Sequence, residues 1–298
     1  MPEEDYDFTP ASRLMQPQEI EQIAAEFVKL GVTKIRLTGG EPLVRKDAAD
    51  IIMRLSKFPI TLTLTTNATR LHQFIDVLQT ANVNSLNISL DTLHADKFLL
   101  ISRRNEFQTV YNNIKTCIEK GFHVKINVVV MKGLNDGEIN DFIEWTKNDP
   151  VHIRFIEFMP FTGNKWSSNK VVTYNEILKK INESYSFLPL VNEKNDTAKS
   201  FIIPGHKGTF AIISTMSTPF CSSCNRIRLT ADGKFKNCLF SEGEVDILSA
   251  FRKGDDIVPL ITQSVTSKAE MLGGQFTSDF INIQAEDIHN RSMISIGG

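Results

Sequence analysis

The chain has 298 residues, enough for one large α/β barrel or two ordinary domains with real cores, so a peptide-like or disulfide-stapled scaffold is excluded. Lys and Arg total 33 against 35 Asp and Glu, a formal charge of −2 that implies no nucleic-acid polymer as partner and leaves any cationic site local. At 41% hydrophobic and 23% charged the composition is globular, and no run approaches the ~18 to 20 apolar residues that cross a bilayer. The acidic start Met1-Pro2-Glu3-Glu4-Asp5 lacks the apolar stretch of a secretory signal, and a cytoplasmic protein without a membrane partner is expected. Four cysteines in such a chain point to metal or redox chemistry before disulfides.

From Gln18 to Leu30 the apolar residues Ile20, Ile23, Ala24, Phe27 and Val28 recur at helical spacing, and Gly31 stands where a helix ends. Strands are predicted at Thr33–Thr38, Thr61–Thr66, Asn84–Leu90, Val124–Val130 and Val151–Glu157, each separated by room for a crossover helix. One face of these strands is apolar: Ile35, Leu37, Leu62, Leu64, Leu86, Ile88, Val124, Ile126, Ile153 and Phe155. The other is polar on every strand, with Lys34, Arg36, Thr63, Thr65, Asn87, Ser89, Lys125, Asn127, His152 and Arg154. A doubly wound sheet is covered on both faces, and an ordinary barrel fills its centre with aliphatic side chains; neither gives this pattern. A partial (β/α) barrel whose inner wall faces a polar ligand does. After Pro160 the rhythm fades, so residues 1–160 read as the barrel and 161–298 as a smaller module. A linker at Thr162–Lys170 leads to a helix near Tyr174–Ile181, short strands around Phe201–Ile213 and a helical stretch Val245–Phe251.

The sharpest chemical signal is Cys221-Ser-Ser-Cys224, followed after 13 residues by Cys238. Three thiolates suit a [4Fe-4S] cluster with one iron left for a substrate atom. A zinc module with His206 as fourth ligand stays open beside it, and a disulfide would leave an odd thiol. Cys117 continues the stripe Phe107, Val110, Ile114 and Ile118 of a helix and reads as core. Arg226 and Arg228 project to one side of an extended segment. Joined by Lys34, Arg36, Lys125 and Arg154 they would gather six positive charges and call for an anionic, polyphosphate-like ligand. Structural ion pairs with Glu41, Glu157 and other acids are the competing reading. Thr38-Gly39-Gly40-Glu41-Pro42 ends a strand where a barrel presents its active-site loops. No residue stands out as an acid or base catalyst.

Lys34-Ile-Arg-Leu-Thr-Gly-Gly-Glu-Pro-Leu43, Leu64-Thr-Thr-Asn67, Asn87-Ile-Ser-Leu-Asp91, Lys125-Ile-Asn127, Arg154-Phe-Ile-Glu-Phe-Met159, the three cysteines with Asn225-Arg-Ile-Arg228, and the terminal Gly297-Gly298 together resemble the GTP 3′,8-cyclases. These are the molybdenum cofactor biosynthesis protein A family of the radical SAM superfamily. The resemblance implies a partial barrel capped by a C-terminal iron-sulfur domain. It implies S-adenosylmethionine contacts at Gly40, Ser89 and Met159, with Glu41 and Asn127 as neighbours. It places GTP among Lys34, Arg36, Thr65, Lys125, Arg154, Arg226 and Arg228, with a [4Fe-4S] cluster on Cys221, Cys224 and Cys238. The implied reaction begins with reductive cleavage of S-adenosylmethionine to a 5′-deoxyadenosyl radical, which abstracts the ribose 3′ hydrogen. The substrate radical then adds to guanine C8. An unidentified reductant and the next enzyme of the pathway are the implied partners. Gly297-Gly298 resembles a tail that the family inserts into its active site; a frayed end is the alternative.

The family's CxxxCxxC loop, which holds a second [4Fe-4S] cluster, has no counterpart among the four cysteines. Met1-Pro2 resembles the residues that follow that loop, so the expectation is that Met1 is internal to a longer protein and that the first barrel strand is missing. The chain by itself is then expected to bind GTP and one cluster without generating a radical. A non-catalytic iron-sulfur nucleotide binder and a zinc-stabilised α/β protein are the competing functions.

Overall fold

The computed structural model of the chain describes residues 9–191, 193–276, 279–283 and 289–296. Helix α1 (Pro17–Lys29) starts with Pro at its first position and a reciprocal Gln16–Glu19 capping box, and turns through Gly31 into β1 (Lys34–Leu37). The chain then alternates α2 (Ala48–Leu55), β2 (Thr61–Thr66), α3 (Ile75–Thr80), β3 (Ser85–Ser89), α4 (Ala95–Ser102), α5 (Phe107–Glu119), β4 (His123–Val130), α6 (Ile139–Asn148) and β5 (His152–Glu157). Strands β1 to β5 are parallel neighbours in sequence order. Parallel strands need such crossovers, and the helices cover the apolar face the sequence marks out. Leu64, Leu86, Ile88, Val124, Ile126, Ile153 and Phe155 are buried in one core with Ile52, Leu78, Ile114 and Phe142 from the helices.

The sheet does not stop at residue 160. After α7 (Tyr174–Asn182) come β6 (Leu188–Pro189), β7 (Ala198–Ile202) and β8 (Thr209–Ile213), giving the order β1-β2-β3-β4-β5-β8-β7-β6. Strand β8 runs parallel to β5, and β7 and β6 return antiparallel. The strands around Phe201–Ile213, expected in the smaller module, therefore belong to the main sheet. Phe201, Phe210 and Phe187 form an aromatic group that seats β7 and β8 on the same core. The expected linker is packed as well: Trp166 is buried and donates its indole N–H to the Phe158 carbonyl at 2.9 Å.

A second, three-stranded antiparallel sheet holds β9 (Arg228–Leu229), β10 (Lys234–Lys236) and β11 (Val245–Asp246), followed by α8 (Ile247–Lys253) and α9 (Val258–Thr266). The predicted helix at Val245 begins two residues later because Asp246 caps it, accepting from the Ser249 N–H at 2.9 Å. Ile23 and Phe27 of α1 pack against Phe235, Ile247 and Ile261, so the first helix docks the smaller sheet. The short α10 (Met293–Ile296) lies at the end of the described chain, and Gly297-Gly298 lies outside the described residues.

Candidate functional site

The polar residues of the sheet line up in rows. Register pairs Thr65 with Asn87, Asn87 with Lys125, Lys125 with His152 and His152 with Thr209; the next row runs Ser89, Asn127, Arg154, Ala211. In-register neighbours on parallel strands share a face, so Thr65, Lys125, Asn127 and Arg154 look into the same space. Strands β1 and β5 of a flat sheet would lie about 19 Å apart, yet charges on them act on each other directly. Burial, followed by repulsion from Arg36 and Arg226, lowers Arg154 to about 9. Burial and then Arg154, Lys34 and Arg36 lower Lys125 to about 8. Charges at the two ends of the β1–β5 run thus lie within electrostatic reach of one another, as they do on the concave inner face of a curled sheet.

Arg226 and Arg228 enter this concavity from the smaller module. Burial lowers Arg36, and Arg226 lowers it further. Burial takes Arg228 down to about 10, with Arg36 and Arg226 adding repulsion and the Cys238 and Cys224 thiols opposing it. Lys34 is lowered by burial, then by Arg36, Arg226 and Arg154. All six cations expected at the site thus converge. Two polar atoms among them, Arg154 Nε and Arg226 Nη1, and the Oδ1 of Asn127 in register with Arg154, are buried without a partner among the described residues. Buried polar atoms left unsatisfied are costly, and each of these would gain from a bound partner.

Glu41 and Glu157, the two acids named for the ion-pair alternative, are engaged elsewhere among the described residues. Glu157 is fully buried, but its carboxylate accepts from the N–H groups of Met216 at 2.7 Å, Ser217 at 2.9 Å and Tyr174 at 2.9 Å, and from the Ser217 hydroxyl. Glu41 accepts from Leu43 N–H at 3.0 Å, Thr66 Oγ1 at 2.8 Å and Asn67 N–H at 2.6 Å, tying the Gly39-Gly40 turn to the end of β2. Burial raises its pKa against these donors. Neither acid answers a cavity cation. Asp196, in the loop before β7, does act on Lys34 and Lys125, and the same loop holds Arg226: its Nη2 donates to Thr197 Oγ1 at 3.2 Å and to Asn195 O at 3.4 Å. Sequence reasoning missed this loop, whose polar composition resembles any solvated turn.

The residues expected at S-adenosylmethionine lie along one edge of the sheet. Gly40 is exposed just after β1, Ser89 ends β3 in register with Asn127, and Met159 follows β5. Met159 also packs against two apolar groups, one that includes Trp166 and one that includes Phe161 and is flanked by Cys221 and Cys238. Thr65 accepts from Asn87 Nδ2 at 3.2 Å, which leaves its hydroxyl hydrogen for another acceptor.

Cys221, Cys224 and Cys238 are free, half-buried thiols. Burial raises Cys221, and the Cys238 and Cys224 thiols raise it further. Burial works to raise Cys224 too, but the Arg226 N–H and the charges of Lys268 and Arg226 outweigh it and leave the thiol below its ordinary value. Among the described residues no group of three or more His, Cys, Asp or Glu could hold a single metal ion. The Cys238 and Cys224 thiols both act on Cys221, the Leu272 N–H lies on the Cys221 sulfur, and the Lys268 ammonium lies beside that of Cys224. His206 is not beside them: its Nδ1 bonds Thr146 Oγ1 at 2.8 Å and its ring meets Tyr185, which corrects its candidacy as a fourth ligand. Cys117 is fully buried in the main core, its thiol raised by burial to about 12.

The radical SAM superfamily matches residues 4–146, and the molybdenum cofactor synthesis C family matches residues 151–272. Molybdenum cofactor biosynthesis protein 1 of Mus musculus is 44% identical over 100% of this chain, which spans 47% of the mouse protein. The mitochondrial GTP 3′,8-cyclase of Arabidopsis thaliana is 42% identical over 100% of this chain and 76% of its own length. GTP 3′,8-cyclase of Listeria monocytogenes serotype 4b is 39% identical over 91% of this chain and 83% of its own. The chain therefore spans about half the length of the mouse relative and most of the other two. Among solved structures, Streptococcus suis SuiB bound to S-adenosylmethionine aligns with a TM-score of 0.58 at 16% identity, over 98% of this chain and 68% of SuiB, a likeness of fold. Among the described residues no helix is long and apolar enough to cross a membrane. On sequence identity along its whole length, the chain belongs to the GTP 3′,8-cyclase family of the radical SAM superfamily.

Proposed function

We propose that this chain serves the reaction for which its family is named, the conversion of GTP to 3′,8-cyclo-7,8-dihydroguanosine 5′-triphosphate in molybdenum cofactor biosynthesis, in a reducing compartment such as the cytoplasm. The observation that carries this reading is the convergence of Lys34, Arg36, Lys125, Arg154, Arg226 and Arg228 in one concavity beside three free thiols. A triphosphate offsets most of the charge of that set, and guanidinium forks grip phosphate oxygens in pairs. Thr65 adds a hydroxyl donor. The unpartnered N–H groups of Arg154 and Arg226 take up oxygen acceptors, which repays their burial.

Cys221, Cys224 and Cys238 would hold a [4Fe-4S] cluster, which with three protein ligands supplies one coordination position for an atom of the purine. Gly40, Ser89, Asn127 and Met159 form the S-adenosylmethionine side of the cavity, with Asn127 Oδ1 as a waiting acceptor. Glu41 already serves three donors, so it contributes to that ligand with one remaining lone pair. An external reductant and an enzyme that consumes the cyclic product complete the sequence. A second reading is a non-catalytic iron-sulfur protein that binds the same nucleotide through the same cations and thiols.

The test is made on the full-length natural protein, reconstituted anaerobically with iron and sulfide. GTP binding together with 5′-deoxyadenosine formed only when reductant, S-adenosylmethionine and GTP are all present supports the first reading. GTP binding with no 5′-deoxyadenosine supports the second. Absence of GTP binding removes both.

A further inference from the structure

The segment that follows α9 touches all three thiol-bearing loops. Lys268 Nζ donates to the carbonyls on either side of the CxxC exit, Cys224 O at 3.0 Å and Arg226 O at 3.1 Å, and lies 3.6 Å from Cys224 Sγ. Four residues on, the Leu272 N–H donates to Cys221 Sγ at 3.4 Å. The third contact is steric. Gly273, at φ +68°, lies so close to the stretch following Cys238 that a Cβ there would stand 2.4 Å from Phe240 C and 2.5 Å from Ser241 N. Leu272 itself holds φ +44°, an uncommon conformation for a branched residue, while its side chain is buried with Phe161, Phe240 and Ile296 beside Cys221 and Cys238. Gln275 closes the segment by donating its Nε2 to the Phe240 carbonyl. A strained turn persists only where its surroundings determine it, and here those surroundings are the three loops.

We infer that Lys268–Gln275 is a positioning clasp for the thiols, and that Lys268, through its ammonium beside Cys224, raises the reduction potential of the cluster those thiols hold. The inference rests on the reading above that Cys221, Cys224 and Cys238 are cluster ligands. Hydrogen bonds and positive charge at ligand sulfurs stabilise the reduced, more negative state of an iron-sulfur centre. Lys268 is well placed for this because its two carbonyl bonds fix the ammonium while leaving its third N–H toward the sulfur. Among the described residues its hydrogen bonds go to Cys224 and to the backbone of Arg226, not to the side chain of a nucleotide cation, so its effect falls on the cluster and its loop.

Reconstituted protein is compared with Cys224→Ser, Lys268→Met, Lys268→Gln and Lys268→Arg by iron and sulfide content and by redox titration followed by electron paramagnetic resonance. Wild type is expected to carry a cluster that Cys224→Ser loses. Lys268→Met and Lys268→Gln are expected to titrate at a lower midpoint potential with an altered signal, and Lys268→Arg to return toward wild type. If Lys268→Met does not fold, Lys268→Gln, which keeps a donor for the carbonyls without the charge, gives the same comparison. A wild-type potential and signal in the folded neutral variants overturns the clasp's electrostatic role and leaves the ligand assignment standing. Equal iron and sulfide in wild type and Cys224→Ser overturns the ligand assignment, and the clasp with it.

Discussion

Replacing Arg154 with Met removes one charge from the middle of the cavity and keeps most of the side-chain volume. In the empty protein this charge is unfavourable: Arg154 is 8% exposed, its Nε has no partner among the described residues, and Arg36 and Arg226 repel it. Burial with that repulsion takes its pKa from 12.5 to about 9. At 1.36 kcal/mol per pH unit the charged form costs the empty fold roughly 4 to 5 kcal/mol, an upper limit because solvent in the concavity screens the repulsion. Exchange of a buried charge for an apolar side chain of similar size recovers about 1 to 4 kcal/mol, which raises Tm by several degrees in a chain of this length. The same change removes charged hydrogen bonds to a triphosphate, each worth about 1.5 to 3 kcal/mol. Affinity then drops roughly 10- to 150-fold per bond lost. Calorimetry without nucleotide and titration with GTP measure the two effects separately. Opposite signs, a higher Tm and a weaker Kd, are expected. A lower Tm together with an unchanged Kd would refute the view that Arg154 is an uncompensated cation awaiting an anion.

Arg226→Ala and Arg228→Ala are each expected to weaken GTP binding by about 1.5 to 3 kcal/mol per charged hydrogen bond lost, and an unchanged Kd in both removes them from the site. Lys125 links binding to pH. Its pKa of about 8 in the free protein lies below the ordinary 10.5, so between those values the unfolded chain binds more protons than the fold and stability rises with pH. A bound triphosphate draws the proton back; binding at pH 9 is therefore expected to take up close to one proton, and affinity to fall as pH climbs past 8. Calorimetry in buffers of different ionisation enthalpy detects the uptake, and undiminished uptake in Lys125→Met contradicts the assignment. Glu157→Ala strips an acceptor from three N–H groups and a hydroxyl and is expected to cost at least about 3 kcal/mol of stability in chemical denaturation. A loss under 1 kcal/mol would show that those donors find other partners.

The period-2 alternation of Thr61–Thr66 and His123–Val130 made the sheet readable, because a polar inner face and an apolar outer face are a direct consequence of the pleat. Parity also delivered Lys34, Arg36, Lys125 and Arg154 to one face without any coordinates. What parity could not give was the far edge of the sheet: β7 and β8 are short, and β8 pairs with β5 over a long sequence gap. The loop that holds Arg226 escaped for a related reason, since Asn195, Asp196 and Thr197 acquire their role only when the sheet curls and brings them over β1 and β4. Glu41 and Glu157 illustrate the converse. Their charge suggested partners among the cations, and only the fold shows that backbone N–H groups reach them first. Lys268 carries no local signal at all, being 44 residues from the thiol it faces.

That one cavity holds both the nucleotide and the thiol-bound cluster is tested most directly by recording the electron paramagnetic resonance spectrum of the reduced, reconstituted protein while GTP is added. A change in the spectrum that saturates at one GTP per chain, and that needs higher GTP in Arg226→Ala, is the expected result. A spectrum that stays unchanged at concentrations where GTP binding is complete would contradict a shared cavity.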